Sequence, residues 1–224
     1  MPTFDDITPL LEQLAIEVPS WAYGNSGTRF KVFGSPGTPR TVEEKIADAA
    51  AVHRFTGLAP SVALHIPWDL VDDWAALGAY AKDLGVRLGT INSNTFQDDD
   101  YKLGSLTNAD PAIRRKAVEH NLHCIQIMNA TGSRDLKIWL ADGTNYPGQG
   151  DIRARQDWLA EGLAEIYSHI GEGQRPLPGY TLFQPAVFPT HRPGRGHAHR
   201  PRPAVGEAAP GGPVPGAPAP GDTN

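Results

Sequence analysis

The sequence has few of the features that mark secreted, membrane or nucleic-acid-binding proteins. Cys124 is the single cysteine among 224 residues, so no disulfide can form within the chain. No apolar run approaches the ~18 residues of a membrane span, and residues 1–20 carry acids where a signal peptide carries lysine or arginine. The net charge of −5 lacks the basic excess that a nucleic-acid-binding surface requires. We therefore expect a cytoplasmic protein with neither a membrane nor a nucleic acid as partner.

Lysine is absent after Lys137, and the composition changes near residue 172. Residues 1–172 hold nine of the 21 prolines, with 15 basic and 23 acidic residues, whereas residues 173–224 hold twelve prolines, five arginines and two acids. We assign residues 1–172 to a folded domain and residues 173–224 to a low-complexity, disordered tail. Such a tail is either a flexible interaction segment or the product of a shifted reading frame in a GC-rich gene, and we favour the second.

What is present before residue 172 is an alternation of strand-like and helix-like patterns. A short helix is predicted over 4–17, and strands begin near residues 20, 61, 86 and 135, each followed by a helical pattern. Thr41 with Glu44 forms a capping box, and Asp110 with Pro111 marks another helix start. Alternating strands and helices predict a parallel sheet with helices outside it, either half of a (β/α)8 barrel or an open doubly wound sheet.

Aromatic and hydrogen-bonding side chains, most of the latter neutral, lie near the ends of these strands, where parallel α/β folds bind their ligands. They are Trp21, Arg29, Phe30, His65, Trp68, Asn92, Asn94, Trp139, Asp142, Asn145 and Gln149. Aromatic faces stack on the C–H faces of a sugar, and amides bond its hydroxyls. A tryptophan or histidine on a buried strand is also common in a core. Because several strands carry such residues at the same edge, we favour a sugar site.

Two other groups of residues have spacings compatible with a metal site. His120, His123 and Cys124 share one helix face and could hold zinc, but a solvated helix with a buried cysteine explains them better. Asp98–Asp100 could hold a hard cation, but a solvated loop explains these acids better. We therefore predict no metal site from either group.

Six segments resemble the L-rhamnose isomerase family, in the xylose-isomerase-like TIM-barrel group, in the same order along the chain. They are "WAYGNSGTRF", "LHIPWD", "INSNTF", "YKLGSL", "AVEHNL" and "DGTNYPGQ", within residues 15–170. The resemblance implies a partial (β/α)8 TIM barrel of about four βα units, with residues 1–172 as its N-terminal part. It also implies a homo-oligomeric aldose–ketose isomerase that converts L-rhamnose to L-rhamnulose by a hydride shift assisted by a divalent metal, commonly manganese.

The resemblance also implies the roles of individual residues. Trp21 and Phe30 match family positions that line the sugar pocket, and the phenylalanine reaches into a neighbouring subunit. His65, Trp68 and Trp139 match positions that contact the sugar. His65 is expected to bond the ring oxygen or the terminal hydroxyls of the sugar.

The resemblance fades where the composition changes. The family's metal ligands lie in later strands, beginning with a glutamate soon after residue 172 that is followed by a lysine. This chain reads "GQRPLPGYTLFQPAVFPT" there, with neither an acid nor a lysine. We therefore expect half of a sugar pocket, no metal ligands, and little or no isomerase activity from this chain alone. The alternatives are a non-catalytic sugar-binding or assembly partner of a complete isomerase subunit, and another sugar isomerase or epimerase of the same barrel group.

Overall fold

The computed structural model describes residues 7–9, 11, 13–24, 34, 36–140, 142 and 150–179. Within them, five parallel strands form one sheet in the order β1-β2-β3-β4-β5. The strands are β1 (Glu17–Pro19), β2 (Ser61–Ile66), β3 (Arg87–Ser93), β4 (Asp135–Trp139) and β5 (Arg175–Gly179). The helices are α1 (Val42–Thr56), α2 (Trp74–Asp83), α3 (Pro111–Thr131) and α4 (Ile152–Ser168), with short 3-10 helices at Ser20–Ala22 and Asp99–Leu103.

Each of the first four strands is followed by a helix before the next strand pairs beside it, so the predicted parallel α/β sheet is confirmed. Its connections are the crossovers that parallel neighbours require. The described residues contain four βα units and a fifth strand, consistent with a partial TIM barrel. No helix within this part of the chain is both long enough and apolar enough to cross a bilayer.

The core lies between the sheet and the helices. On β2, Val62, Leu64 and Ile66 alternate with Ser61, Ala63 and His65, and the first set packs into the apolar cluster under the helices. The matching residues of the other elements are Ile46, Leu77, Ile91, Ile125, Met128, Leu136, Ile138 and Ile166, all of them buried. The second set on β2 faces the other side of the sheet, and it ends at His65.

Two helices begin where the capping residues in the sequence predict. The Thr41 hydroxyl accepts the Glu44 N–H at 3.3 Å, and the Glu44 carboxylate accepts the Thr41 N–H at 3.3 Å, which completes the capping box. Asp110 accepts the Ala112 N–H at 2.8 Å, and Pro111 is the first residue of α3.

The first strand differs from its prediction. The helical pattern over 4–17 is helical at residues 7–9 and 11, but Glu17 already belongs to β1, and Trp21 lies in the 3-10 helix that follows the strand. The Glu17 carboxylate accepts the Ser61 hydroxyl at 2.6 Å. This partner is 44 residues away in the sequence, so a local helical pattern carries no sign of it.

The second helix also begins later than predicted. The pattern places its start at Asp69, whereas α2 starts at Trp74 with Asp73 as its cap, accepting the Ala76 N–H at 2.8 Å. Asp69 is buried, and its carboxylate bonds to groups outside α2. An acidic residue with buried tertiary partners cannot also cap a helix at the surface.

The sheet continues past the compositional break at residue 172, which corrects the predicted four strands to five. The Arg175 N–H donates to the Arg134 carbonyl, and the Leu140 N–H donates to the Gly179 carbonyl, both at 2.8 Å. Residues of a parallel strand bond alternately to one neighbour and the other, so Pro176 and Pro178 face away from β4. Both prolines therefore fit a strand because their missing N–H groups are not needed there. The rest of the predicted tail, 180–224, lies outside the described residues.

Candidate functional site

Five rings meet at the carboxyl ends of the first four strands. The His65 imidazole stacks on Trp68, with ring centroids 3.7 Å apart and 15° between the planes. Trp21 meets His65 edge-on at 5.2 Å, and Phe96 does so at 5.9 Å. Phe96 in turn meets Trp139 edge-on at 4.6 Å. We call these five residues the aromatic cluster.

Each ring is carried by a different part of the rim. Trp21 follows β1, His65 is the penultimate residue of β2, and Trp139 is the last residue of β4. Trp68 lies in the turn after the cis Ile66–Pro67 bond. The structure thus brings together Trp21, His65, Trp68 and Trp139, four of the five residues predicted to line a sugar pocket, because parallel strands end at one edge of a sheet. Phe30 lies outside the described residues.

Phe96 is the member of the cluster that sequence reasoning missed. It follows β3, for which the sequence predicts only the amides Asn92 and Asn94 as site residues. The signal was present, since each of the other strand ends in the cluster also supplies an aromatic residue. Between His65 on one side and Trp139 on the other, Phe96 connects the two halves of the cluster.

The amides predicted to bond a sugar are engaged with the protein. Asn92 donates to the Leu64 carbonyl at 3.0 Å and so links β3 to β2. The Asn94 amide and the Trp68 indole N–H both donate to the Gln97 side-chain oxygen, each at 2.9 Å. Gln97 therefore holds the indole in the orientation that stacks on His65. Arg29, Asn145 and Gln149 lie outside the described residues.

His65 is held as a neutral imidazole. Its burial lowers its pKa from 6.5 to about 4; the nearby Asp69 carboxylate opposes this shift, and His120 and Lys45 add to it. Its Nδ1 is buried and has no hydrogen-bond partner among the residues that the structure describes. A neutral imidazole can donate one hydrogen bond and accept another, and an unsatisfied buried nitrogen costs free energy until a partner reaches it.

A buried carboxylate lies directly behind His65. The Asp69 side chain accepts the Lys45 ammonium at 2.7 Å, the His65 backbone N–H at 2.8 Å, and the Ser20 hydroxyl. All three partners are buried residues. This arrangement joins the end of β1, the end of β2 and helix α1 at one point.

Asp142, at the other end of the site, also anchors structure. Its carboxylate accepts the backbone N–H groups of Ser105 and Thr107 at 2.7 and 2.8 Å, and both of their hydroxyls at 2.7 and 3.0 Å. Four hydrogen bonds to a buried carboxylate secure the loop before α3 against the end of β4. The side chain is therefore committed to the protein rather than presented to a ligand.

The two groups with metal-compatible spacing have other roles. Cys124 is buried, which raises the pKa of its thiol to about 12, and His120 Nε2 accepts the Asn94 N–H at 3.1 Å. Lys116 lies between Asp98 and Asp100, at 2.8 and 2.7 Å. Across the described ranges, no group of three or more histidine, cysteine, aspartate or glutamate side chains is arranged to hold a metal ion.

The strand after residue 172, β5, is where the resemblance places the first ligand of a manganese ion. The resemblance implies a glutamate in this strand, and β5 carries none; its last residue, Gly179, is paired with Trp139. A divalent cation prefers carboxylate and imidazole ligands. The described residues therefore do not fit a manganese site.

The chain has relatives among known proteins, although no protein-family model matches it. It is similar to a probable sugar isomerase of Rhizobium meliloti, with 38% identity over 191 residues that cover 83% of this chain and 44% of that protein. It is also similar to the xylose isomerase of Thermus thermophilus, with 26% identity over 82 residues, 36% of this chain and 21% of that enzyme. The chain thus spans less than half the length of these relatives.

The fold is also found among solved structures. The chain is similar to the crystal structure of D-allulose 3-epimerase from Methylomonas sp. in complex with D-allulose, with a TM-score of 0.52 and 15% identity, covering 74% of this chain and 50% of that one. At this identity the similarity shows the fold alone. The chain is thus similar to probable sugar isomerases in sequence and to a sugar epimerase in fold, and its parallel α/β sheet is consistent with a partial TIM barrel.

Proposed function

We propose that this chain forms the sugar-binding wall of a cytoplasmic aldose–ketose isomerase of the L-rhamnose isomerase type. The observation that carries the proposal is the aromatic cluster around a neutral, buried histidine at the carboxyl ends of parallel strands. Two similarities support it: the chain resembles a probable sugar isomerase in sequence and a sugar epimerase in fold.

The cluster has the chemistry that a sugar requires. The indole faces of Trp21 and Trp139 offer apolar surface for the C–H face of an aldose, and the His65 imidazole offers a donor and an acceptor for its oxygens. Because His65 is uncharged near neutral pH, it can bond either a hydroxyl or a ring oxygen. These residues bind and orient a sugar.

Isomerisation itself needs groups beyond those described. A divalent metal would polarise the sugar oxygens during a hydride shift, and the described residues do not fit such a site. We therefore propose that the 224-residue chain binds an aldose without isomerising it, and we assign no catalytic step to it. We extend the proposal to a homo-oligomer in which Phe30 of one copy reaches the sugar of another.

Calorimetry with L-rhamnose, with and without Mn²⁺, tests the binding role. The Trp68→Ala variant should lose affinity, because it removes the ring stacked on His65. The matched control is Trp158→Ala, since Trp158 lies on α4 and packs under Arg114 at 4.4 Å instead of in the cluster. Absence of heat with L-rhamnose and with a panel of other aldoses would overturn the proposal, and formation of L-rhamnulose by the chain alone would overturn the non-isomerising part.

A second candidate is a non-catalytic partner of a complete isomerase subunit. It is favoured by the cross-subunit role that the family resemblance implies for Phe30, together with the lack of a metal-ligand group in the described part of the chain. Mixing the chain with a complete isomerase and following L-rhamnulose formation and sedimentation tests it. Co-sedimentation with a changed rate supports this candidate, whereas independent sedimentation with an unchanged rate rejects it.

A further inference from the structure

We propose that Asp69 is a positioning residue, which places His65 against Trp21 and Trp68 through a buried network with Ser20 and Lys45. We call these hydrogen-bonded groups, the Asp69, Ser20 and Lys45 side chains and the His65 backbone N–H, the Asp69 network. The inference rests on the proposed function, since it identifies what sets the geometry of the sugar-binding cluster.

The two carboxylate oxygens of Asp69 have separate tasks. Oδ2 accepts both the Ser20 hydroxyl and the His65 backbone N–H, the latter at 2.8 Å. Oδ1 accepts the Lys45 ammonium at 2.7 Å. The carboxylate side chain is 0% exposed and the lysine side chain 7%. Oδ2 thus links the ends of β1 and β2, and Oδ1 pairs with the Lys45 ammonium, which neutralises the carboxylate.

Both hydrogen-bond donors to Oδ2 belong to, or adjoin in sequence, a residue of the aromatic cluster. Ser20 is adjacent to Trp21, and the other donor is the backbone of His65 itself. The Asp69 N–H also donates to the His65 carbonyl at 2.8 Å, which closes the turn that holds Trp68. A shift of this carboxylate therefore changes three ring positions together. Binding sites tolerate displacements of only about 0.5 Å before affinity suffers.

The Lys45 ion pair supports the network without touching the cluster. A carboxylate buried without a counter-charge is strongly unfavourable, and removing one partner of such a pair destabilises a fold. Lys45 comes from α1, so the pair ties the helix layer to the rim of the sheet. The charge and the positioning bonds can therefore be separated by mutation.

Two double variants separate the charge of Asp69 from its positioning hydrogen bonds. Lys45→Met with Asp69→Asn removes both charges but leaves an amide oxygen for Ser20 and His65. Lys45→Met with Asp69→Ala removes the same charges together with that oxygen. If Asp69 positions the ring, the asparagine variant keeps the wild-type His65 geometry and the alanine variant loses it. A role limited to charge or folding predicts the same behaviour from both.

The readout is the NMR shift of the His65 ring protons, which the ring currents of Trp68 and Trp21 displace. We expect the asparagine variant to retain the wild-type shifts, and the alanine variant to move toward unstacked values and lose about 10- to 100-fold in L-rhamnose affinity. Asp142→Asn is the control: a buried carboxylate at another part of the rim, whose change leaves the His65 signals in place. Equal His65 shifts in the two double variants, both folded by circular dichroism, would overturn the inference.

Ser20→Ala provides the test if the alanine double variant does not fold. It removes one bond from Oδ2 and should weaken the edge contact between Trp21 and His65, and so alter the His65 shifts; unchanged shifts count against the inference. If the wild-type chain binds no sugar, the proposed function fails while the shifts still decide the positioning role. If the wild type and the folded alanine variant bind L-rhamnose equally, only the positioning role fails.

Discussion

His65 shows how burial sets the chemistry of a single residue in this protein. Its imidazole is stacked on Trp68 and is 5% exposed, so the charged form is poorly solvated. The largest cause of its lowered pKa is this desolvation, which outweighs the attraction of Asp69. A residue with an ordinary pKa near neutrality thus becomes a neutral hydrogen-bonding group.

This burial predicts a pH-dependent stability. Because the pKa of His65 falls from 6.5 to about 4 on folding, the unfolded chain binds more protons between those pH values. The free energy of unfolding should then decrease as the pH falls through this window, by about 3 kcal/mol at most. Urea unfolding of wild type and His65→Phe across this window measures it, and the variant should show the flatter profile. The control is His123→Phe, at an exposed site on α3; parallel profiles for wild type and His65→Phe would contradict the expectation.

At the scale of elements, a glutamate on β1 holds an irregularity in β3. The register between β2 and β3 shifts after Val62, which leaves the Thr90 N–H outside the ladder. The Glu17 carboxylate accepts this N–H at 3.1 Å as well as the Ser61 hydroxyl at 2.6 Å. The first three strands are thus joined at one carboxylate, and Gly89 leaves the space for it.

A pair of glycine-to-alanine changes tests whether the Glu17 carboxylate holds these three strands together. A Cβ at Gly89 would lie 1.7 Å from Glu17 Oε2, so the carboxylate must leave its two partners. We expect Gly89→Ala to lower the free energy of unfolding by about 1–2 kcal/mol. Gly78→Ala is the matched control, because Gly78 lies within α2 and its added Cβ meets nothing within 4 Å. It should raise stability by about 0.5–1 kcal/mol.

Urea unfolding of the two alanine variants measures the difference. In a Glu17→Ala background, the cost of Gly89→Ala should shrink, since the displaced carboxylate is gone. A Gly89→Ala protein as stable as the Gly78→Ala protein would show that Glu17 does not hold the bulge.

At the scale of the whole molecule, the two outer strands of the described sheet are poor templates for further strands. The Ile16 N–H donates to Leu58 toward β2, so Pro19 faces the outer edge of β1 by alternation. Pro176 and Pro178 face the outer edge of β5 in the same way. Prolines on an edge remove the donors that another strand would pair with. Strand addition is therefore unfavourable at both edges.

Replacing the prolines of β5 should make strand addition at this edge more favourable. The double variant Pro176→Ala, Pro178→Ala restores two outward N–H donors, and we expect it to associate as concentration rises. Sedimentation velocity over a concentration series measures this, with Pro36→Ala, an exposed turn proline, as the control. Identical sedimentation of the double variant and wild type would show that these prolines do not protect the edge.

Prediction from sequence succeeded where the signal was local. The capping box at Thr41, the Asp110–Pro111 helix start and strands β2 to β4 follow from neighbouring residues. It placed the start of β1 near residue 20 instead of at Glu17, because a helical pattern covers Glu17 and its bond to Ser61 is not local. It missed β5, whose proline-rich composition hides its pairing with β4.

The candidate site divides in the same way. Four of its rings were identified by their positions after predicted strands and by the resemblance to a sugar isomerase family. Phe96 follows β3 in a loop for which the sequence predicts only hydrogen-bonding amides, and Asp69 is predicted to be the first residue of a helix, so neither is predicted to belong to the site.

The amino-acid sequence by itself determined the alternation of strands and helices and the rim residues Trp21, His65, Trp68 and Trp139, because periodicity, caps and motifs are carried by residues close together in the chain. Only the tertiary structure decided that His65 is neutral, that Phe96 completes the cluster, and that Asp69 joins Ser20 and Lys45 behind it. Burial and hydrogen bonding between residues 24 to 49 positions apart create these properties.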